Sequence, residues 1–555
     1  MQLLTKLISP LEKCFMDDDI GAKAEYRYAS ILSNERFAFQ IAYTDVDPSN
    51  RAYIPGSIRV DSLLSDAIAV SFVMQVPSAM PVYRGDASYD GYLRTTPGFY
   101  PDLLLPACDF REAAYVYGEL KALWIEVDPA GRYPAGNYPI TVLFLDDAGN
   151  TAASETFVLT VISAALPEQT LKFTQWLHTD CLASYYGFEI FSEEYWQTVE
   201  QFMKTAVRSG VNMMLTPIFT PPLDTIPGGE RPTVQLVDIA VRSDGTYIFG
   251  FEKLGRWLDL CAACGIRYYE FSHLFTQWGA QAAPKIVAKK DRRIRRIFGW
   301  DTDASSPEYI NFLHAFLPAL ISYMRGRGEA DKCVFHISDE PAPEHFDSYS
   351  RARKSVEELL KGFTVMDALS DVSFYDRGAV SLPVPALNHI EPFLSRPLPE
   401  RWTYYCCGQR EKVSNRFLAM PSQRNRILGT QMYLYGIGGF LHWGYNFYYS
   451  RGSVRPVNPY SCTDGGYFVP SGDAFSVYPA PGGSTYETIR LQVFYHALQD
   501  MRALRLCEAF CGTEAVRRCI QECAGMAVTF TAFPEDISFI HRLREKINSM
   551  IQRNI

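Results

Sequence analysis

The Asp-Glu-Pro segment at residues 339–341 is the part of the chain best suited to acid–base chemistry. Asp339 and Glu340 are adjacent and follow a short apolar run, and Pro341 ends strand pairing directly after them. Two carboxyl groups in one partly dry pocket repel each other, which raises the pKa of one and leaves the other ionised. The pair therefore predicts one proton donor and one anion at the same place.

The run that precedes the pair also carries polar side chains where a buried strand has apolar ones. Alternation along a strand places Val334, His336, Ser338 and Glu340 on one face. A polar row that faces a protein interior is costly unless its groups are paired or serve a site. The alternative, in which the two carboxylates are solvated or form salt bridges, stays open at this point.

Residues 170–504 alternate between short apolar runs and helical patterns, and we predict a (β/α)8 TIM-type barrel there. An open doubly wound sheet is the second choice, but no Gly-rich phosphate turn follows any of the runs. The eight runs are residues 171–178, 211–219, 266–274, 332–338, 364–369, 382–387, 402–407 and 438–447.

Function in such a barrel belongs at the carboxyl ends of the strands, where several runs end in aromatic and polar residues. Aromatic rings can stack on the apolar faces of sugars while the polar groups pair with hydroxyls, so we predict a carbohydrate pocket. The alternative is that most of the aromatic residues are core filler. The predicted substrate-binding residues are Trp176, His178, Asp180, His273, Trp278, His336, Tyr404, Tyr405, His442, Trp443 and Asn446.

The two ends of the chain differ from this middle part. Residues 1–165 alternate on a period of two with turn clusters between the runs, which predicts an accessory β-sandwich. Residues 164–169 are the predicted linker. Residues 505–555 are expected to form a mostly helical tail packed on the barrel, with one β-like run at residues 527–532.

Composition excludes some classes of function and partner. The 555 residues are 47% hydrophobic and carry a formal net charge of −9, so no nucleic-acid partner is expected. Residues 427–450 carry no charge but include glycines and polar groups, so we predict a buried helix and strand and no membrane partner. Thirteen cysteines, mostly single, and the absence of a signal-like start predict a cytoplasmic protein.

No cofactor or metal is predicted, because the chain lacks the zinc, phosphate-loop and nucleophile-elbow motifs. The cysteine pairs 507/511 and 519/523 are interpreted as buried structural thiols. The basic run at residues 289–296, with six basic residues in eight, is interpreted as a solvated loop or helix. The alternative for this run is a clamp for an acidic glycan.

Six segments of the chain form a recognisable set: Trp176-x-His-x-Asp-Cys, residues 216–224, 277–280 and 336–341, Tyr404-Tyr-Cys-Cys and residues 439–446. Taken in order, they resemble the catalytic domain of glycoside hydrolase family 123. The resemblance covers nearly all of residues 171–504, and the N-terminal region is similar in placement to the family's accessory sandwich. It implies an exo-acting β-N-acetylgalactosaminidase that retains configuration and uses the acetamido group of the substrate as nucleophile.

The family's adjacent acid pair falls on Asp339 and Glu340. Neighbouring carboxyls are poorly placed to bracket a sugar, because two-carboxylate glycosidases need separations of about 5–5.5 Å or 6.5–9.5 Å. Glu340 is expected to act as general acid and then base, and Asp339 to hold the acetamido N–H and stabilise the oxazolinium-like intermediate. Tyr404 or Tyr405 is expected to donate to the acetamido oxygen, with no choice between them.

Two alternatives to this function stay open. One is a conventional glycosidase in which Asp180, Glu270 or Asp371 is the nucleophile. The other is a carbohydrate-binding protein on the same fold that has no activity. The sequence predicts a glycan partner but leaves open the galacto or gluco configuration, the role of the N-terminal region and the oligomeric state.

Overall fold

The computed structural model describes residues 2–50, 53–86, 91–109 and 113–555, and its N-terminal part is all β. Two five-stranded sheets form it, with strand orders β1-β3-β8-β5-β6 and β2-β10-β9-β4-β7. The strands are β1 (Leu3–Ile8), β2 (Tyr28–Leu32), β3 (Phe37–Asp45), β4 (Ile54–Asp61), β5 (Ile68–Ser78), β6 (Gly98–Pro106), β7 (Ala113–Tyr115), β8 (Lys121–Val127), β9 (Gly136–Leu145) and β10 (Thr151–Ile162).

The alternating residues of these strands fill a core between the two sheets. Phe39 of β3 and Phe157 of β10 stack at 4.3 Å between ring centroids, and both are fully buried. The turn at residues 146–150 joins β9 to β10 as an antiparallel hairpin, as its Asp, Gly and Asn residues predict. The period-two pattern of the sequence therefore corresponds to real strands.

The rest of the chain contains the eight barrel strands, three antiparallel hairpins and twelve helices. The strands are β11 (Lys172–Gln175), β12 (Met213–Thr216), β13 (Asp238–Val241), β14 (Tyr247–Gly250), β15 (Tyr268–Phe271), β16 (Ile286–Lys290), β17 (Arg293–Phe298), β18 (Cys333–Phe335), β19 (Thr364–Ala368), β20 (Leu382–Val384), β21 (Trp402–Tyr404), β22 (Gly439–His442), β23 (Val477–Pro479) and β24 (Thr485–Glu487). The helices are α1 (Thr179–Tyr186), α2 (Glu193–Arg208), α3 (Glu252–Cys264), α4 (Pro307–Gly326), α5 (Phe346–Val356), α6 (Ser373–Asp376), α7 (Glu391–Leu394), α8 (Gln423–Arg426), α9 (Leu428–Leu434), α10 (Ile489–Cys511), α11 (Thr513–Ala524) and α12 (Ile537–Gln552).

Eight parallel strands form a nearly closed barrel in the order β20-β19-β18-β15-β12-β11-β22-β21. A parallel bridge between Ala386 and Tyr404 joins the two ends of this order. All eight strands fall within the runs predicted from the sequence, and at least one helix follows each of them. The sheet β14-β13-β16-β17 is built from insertions after the second and third barrel strands.

Several local expectations are wrong. The basic run 289–296 lies in the β16–β17 hairpin and not in a loop or helix, because its residues pair across a two-residue turn. The run 527–532 forms no strand, and residues 423–434 form two short helices, α8 and α9. Helix α10 covers residues 489–511, so the tail that is predicted to begin at residue 505 starts within this helix. The uncharged stretch 427–450 does hold a buried helix, α9, and a buried strand, β22.

Buried ion pairs fasten the N-terminal sheets to the barrel. Arg490 of α10 donates to both carboxylate oxygens of Asp102 in β6, at 2.7 and 2.8 Å, and both side chains are buried. Arg544 of α12 binds Glu35 in the same way. Among the residues that the structure describes, no helix has the length and apolar character needed to cross a membrane.

Candidate active site

The Asp339–Glu340 pair lies at the carboxyl end of the fourth barrel strand, β18. The backbone of Glu340 is left-handed, with φ of 42°, and its N–H donates to the carbonyl of Ala368 at 3.0 Å. The carbonyl of Asp339 accepts from the N–H of Trp278 at 2.9 Å. A left-handed backbone at a residue other than glycine is strained and is found mainly at functional sites. Neighbouring strands therefore hold the pair in a fixed turn at the barrel mouth.

An open cavity of about 400 Å³ adjoins this turn. Glu340 is exposed and Asp339 is half-buried. The hydroxyl of Tyr404, from the seventh strand, donates to Oε1 of Glu340 at 2.5 Å. The cavity is lined by Glu340, Pro341, Ala342, Pro343, Leu369, Ser370, Asp371, His389 and Tyr404.

The electrostatics of the mouth favour a retained proton. Burial, the charge of Glu340 and the charge of Asp224 raise the pKa of Asp339 well above its usual range. Burial and the carboxylate of Glu340 likewise raise the pKa of the Tyr404 hydroxyl, so that it stays a hydrogen-bond donor. The acid pair therefore holds a proton at pH values where an ordinary carboxyl pair has lost both.

Asp224 is a further carboxylate close to the acid pair, and it is not among the site residues predicted from the sequence. Its backbone is left-handed, with φ of 46°. Its N–H donates to Oε1 of Gln277 at 2.8 Å, and its carbonyl accepts from the hydroxyl of Ser453 at 2.8 Å. Burial first, and then the charge of Glu340, raise the pKa of Asp224 to about 7, against the opposing charge of Arg231.

Asp473 is another carboxylate in this region and lies in the loop after the eighth strand. It is fully buried, and its Oδ2 accepts from the indole N–H of Trp443 at 2.9 Å. Burial raises the pKa of Asp473 to about 7, although Arg416 and Trp443 oppose the shift. No sequence signal marks Asp473, whereas Asp224 ends a proline-rich segment after the second strand and could have been found there.

Below the mouth, His336 bridges two buried carboxylates inside the barrel. Its Nε2 lies 2.8 Å from Glu270 Oε1, and its Nδ1 lies 3.3 Å from Asp367 Oδ1. Burial lowers the pKa of His336, but hydrogen bonds to Asp367 and Glu270 outweigh it and raise the pKa to about 10. The raised pKa favours an imidazolium that donates from both nitrogens, so that one positive charge lies between the two carboxyl groups.

Asp367 links this ion-pair network to the turn that carries Asp339 and Glu340. Its Oδ1 accepts from the backbone N–H groups of Ile337 and Ser338, at 2.9 and 3.3 Å. Its Oδ2 accepts from the hydroxyl of Tyr349 at 2.5 Å. Because Ile337 and Ser338 directly precede Asp339, the network fixes the backbone from which the acid pair projects.

Trp176 and His273 belong to the same buried floor and offer no surface to the cavity. The indole of Trp176 donates to Glu270 at 2.7 Å, and Trp176 is 2% exposed. His273 is fully buried, stacks on His336 at 4.4 Å between ring centroids, and has no hydrogen-bond partner on either ring nitrogen. Burial, and then the charge of His336, lower the pKa of His273 well below its usual range, so it is neutral.

Among the described residues, one group of three has the spacing of metal ligands. Ligand atoms of His273, His336 and Asp367 lie within 4.8 Å of one another, and all three side chains are buried. Both ring nitrogens of His336 make hydrogen bonds, one to Glu270 and one to Asp367.

A second buried cluster flanks the mouth and is organised by Arg231. The guanidinium donates to both carboxylate oxygens of Asp180, at 2.6 and 2.7 Å, and to Nδ1 of His178 at 3.1 Å. An arginine can only donate, so His178 accepts at Nδ1 and donates from Nε2 to the carbonyl of Trp443 at 2.8 Å. Burial and Arg231 lower the pKa of His178 to about 3.

Asn446 completes this cluster by holding the backbone of His178. Its Oδ1 accepts from the N–H and its Nδ2 donates to the carbonyl of that residue, at 2.8 and 3.1 Å. His442 is also fully buried, and its Nδ1 accepts from Arg416 and from the N–H of Gly444, each at 2.9 Å. Asn446 and His442, which were predicted to bind the substrate, therefore hold neighbouring parts of the protein in place.

The structure separates the two neighbouring tyrosines of the seventh strand. Tyr404 contacts Glu340, whereas the hydroxyl of Tyr405 is turned to the other side and donates to Asn425 Oδ1 at 2.9 Å. Tyr405 is 1% exposed and lies away from the acid pair. Of the predicted aromatic residues, Trp278 is 43% exposed and Trp443 is 9% exposed.

The residues predicted for the site thus fall into two sets. Asp339, Glu340, Tyr404 and Trp278 meet at the open mouth, with Trp443 at its edge beside Asp473. The others form the buried floor and flank, and all of them except His273 make side-chain hydrogen bonds within the protein; they are Trp176, His178, Asp180, His273, His336, Tyr405, His442 and Asn446.

Comparison with known proteins agrees with this arrangement. Residues 176–507 match the family model described as glycoside hydrolase 123, catalytic domain. A family 123 glycoside hydrolase from Clostridium perfringens, solved in a study of glycolipid glycan hydrolysis, superposes with a TM-score of 0.75 at 14% identity over 99% of both chains. A β-glucuronidase from Parabacteroides merdae gives a TM-score of only 0.29 at 9% identity, covering 89% of this chain and 52% of that one. No protein with a curated description matches. Because the family model spans more than half of the chain, this protein belongs to glycoside hydrolase family 123.

Proposed function

We propose that the protein is a retaining exo-glycosidase that removes β-linked 2-acetamido sugars, N-acetylgalactosamine first among them. The observation that carries the proposal is the Asp339–Glu340 pair, held side by side in one strained turn at an open cavity, with Tyr404 donating to Glu340. Side-by-side carboxyls suit a reaction in which the substrate supplies its own nucleophile.

The proton distribution of the pair fits this reaction. In the free site the raised pKa of Asp339 keeps a proton on the pair. An acetamido N–H that donates to Asp339 favours its ionised form, and the shared proton then passes to Glu340. Glu340 becomes the general acid only when the correct sugar is in place.

The steps of the reaction follow from these positions. The acetamido oxygen attacks the anomeric carbon as Glu340 protonates the leaving oxygen, and Asp339 stabilises the positive charge of the oxazolinium-like intermediate. Tyr404, once released from the protonated Glu340, donates to the acetamido oxygen and orients it. Glu340 then takes a proton from the water that opens the intermediate, and configuration is retained.

A conventional two-carboxylate mechanism is supported by one residue only. Glu270 is fully buried and accepts from Thr174, Trp176 and His336. Asp180 is paired with Arg231 and 2% exposed. Asp371 is half-buried and lines the same cavity as Glu340, so it is the nucleophile of the second candidate function.

A panel of nitrophenyl glycosides separates the two candidates. We expect turnover of 2-acetamido sugars only, and inhibition by a thiazoline analogue of the cyclic intermediate. Asp371→Asn is the matched control for Asp339→Asn: we expect the first to keep activity and the second to lose it. Cleavage of a plain β-galactoside that Asp371→Asn abolishes contradicts substrate assistance, and sugar binding without turnover contradicts an enzymatic role.

Three further parts of the proposal concern the whole chain. We infer that the barrel is of the TIM type, because a helix follows each of its eight strands. We place the accessory sandwich at residues 1–165, the catalytic barrel at 170–504 and the tail at 505–555. Thirteen free thiols support a reducing compartment such as the cytoplasm. Glycans of glycolipids, the substrates studied for the Clostridium perfringens protein, are the first natural substrates to test.

A further inference from the structure

The β16–β17 hairpin presents six basic side chains in eight residues, 289–296, and all six are exposed. Arg296 alone is neutralised, by Asp301 and Glu230. The other five form no ion pair with any residue that the structure describes. The chain as a whole has a net charge of −9, so this positive surface is a local feature and not a reflection of the composition.

The strand register concentrates the charge on one face of the hairpin. Lys290 lies directly opposite Arg293, and Arg295 lies opposite Ala288, on the same face. Like charges directly opposite each other destabilise an antiparallel pair. We call this surface, formed by Lys290, Arg293 and Arg295, the cationic face. No carboxylate shares it, so its repulsion is not relieved within the hairpin.

The turn of the hairpin is strained in a way that keeps a further cation at the tip. Asp291 and Arg292 both have positive φ, 51° and 63°. Two-residue turns of this kind favour glycine, above all at the second position. An arginine at this position lowers the stability of the turn. Its presence is better explained by a role in binding than by a contribution to the fold.

The hairpin is continuous with the rim of the candidate active site. It follows directly on the loop that carries Trp278, whose N–H donates to Asp339. At its base, Lys285 donates to the carbonyl of Arg231, the residue that holds the flanking cluster. The base of the hairpin is therefore joined directly to segments that surround the candidate active site.

We propose that the cationic face binds an acidic glycan, one that carries sulfate or carboxylate groups. Arginine and lysine are the side chains that pair best with such oxyanions. A membrane surface fits less well, because the large exposed apolar residue of the hairpin, Ile294, is on the opposite face with Lys289. The interaction does not depend on the acetamido specificity of the cavity.

Binding to dextran sulfate tests the proposal, because that polymer carries no acetamido sugar and its binding does not report on the cavity. The variant is Lys290→Gln with Arg293→Gln. The matched control is Lys354→Gln with Lys361→Gln, which removes the same charge from exposed positions on α5 and the loop after it. That loop leads into β19, at the end of the barrel away from the mouth. Thermal unfolding of each variant reports whether it folds.

At an ionic strength of about 0.05 M we expect the wild type and the control to bind dextran sulfate, and the variant to bind roughly tenfold more weakly. Neutral dextran should not bind, and added salt should reduce the binding. Equal binding by all three proteins, or no binding by the wild type, overturns the proposal. Binding to phosphatidylserine vesicles as strong as to dextran sulfate also overturns it, since the partner is then a membrane.

Discussion

Tyr404 and Tyr405 offer a matched pair for a test of the site, because they are adjacent and their hydroxyl groups point to different places. Tyr404 donates to Glu340 at 2.5 Å and Tyr405 donates to Asn425 at 2.9 Å. Substitution by phenylalanine removes one hydroxyl in each case and keeps the ring. The two variants therefore differ only in which hydrogen bond they lose.

The contact of Tyr404 sets the size of the expected effect. A hydrogen bond to a charged partner contributes about 1.5–3 kcal/mol, and about 1.4 kcal/mol corresponds to a tenfold change in rate. If the transition state makes a hydrogen bond of this strength between the Tyr404 hydroxyl and the acetamido oxygen, Tyr404→Phe lowers kcat/KM by about 10- to 100-fold. Tyr405→Phe loses the buried hydrogen bond between two neutral groups, Tyr405 and Asn425, which contributes about 1 kcal/mol to the free energy of unfolding. Its kcat/KM should stay close to that of the wild type.

The assay is hydrolysis of a nitrophenyl N-acetyl-β-galactosaminide, with thermal unfolding measured on the same samples. We expect a slow but normally stable Tyr404→Phe variant and an active but less stable Tyr405→Phe variant. A Tyr404→Phe rate within twofold of the wild type refutes the role of that hydroxyl. An equal loss of rate in both variants contradicts the conclusion that only the Tyr404 hydroxyl points toward the acid pair.

Further variants test other parts of the site and of the fold. Glu340→Gln should lose most of its turnover of substrates with poor leaving groups and much less of its turnover of substrates with activated ones. Asp339→Asn should lose turnover of both kinds of substrate. Near-full rates in either variant contradict the catalytic role proposed for that residue. Asp224→Asn removes a negative charge that raises the pKa of Asp339, so the alkaline limb of the kcat/KM profile should move to lower pH. The pKa of Asp224 is raised from 3.8 to about 7 in the folded protein, so between these pH values the folded state holds a proton that the unfolded state has lost. The free energy of unfolding of the wild type should therefore fall relative to that of Asp224→Asn as the pH rises from about 4 to 7. A difference between the two free energies that does not change with pH contradicts this expectation. Asp102→Asn leaves Arg490 buried without its partner and should lower the free energy of unfolding by about 3–5 kcal/mol, as measured by denaturant unfolding.

The strand pattern of this chain could be read from its sequence because the strands are short apolar runs with regular spacing. All eight barrel strands and the hairpin at 146–150 were predictable in this way. The polar row with His336 and Ser338 was expected on a strand that continues to Glu340, whereas β18 ends at Phe335 and these residues lie in the segment that follows it. The basic hairpin at 289–296 was not predictable, because its charged residues show no apolar alternation and the turn Asp291–Arg292 lacks the glycine that marks such turns.

The acid pair could be located from the sequence, but most of its surroundings could not. Trp176 and His178 follow a strand end just as Glu340 does, yet they are buried, because exposure depends on which neighbouring loops cover each strand end. Asp224 and Asp473 are brought to the mouth by loops whose paths no local pattern specifies. The sequence could not show which of the two tyrosines lies beside the acid pair, because this depends on the residues that each face of the strand contacts. Tyr404 contacts Glu340 on one face, and Tyr405 contacts Asn425 on the other.

Fluorination of the N-acyl group of the substrate tests substrate assistance most directly. Each fluorine on the acetamido methyl group withdraws electrons from the oxygen that is expected to attack the anomeric carbon, while the shape of the sugar hardly changes. We predict that kcat/KM falls steeply and progressively from the acetamido to the trifluoroacetamido glycoside. Rates that stay constant across the series contradict attack by the acetamido oxygen and favour a carboxylate of the protein as the nucleophile.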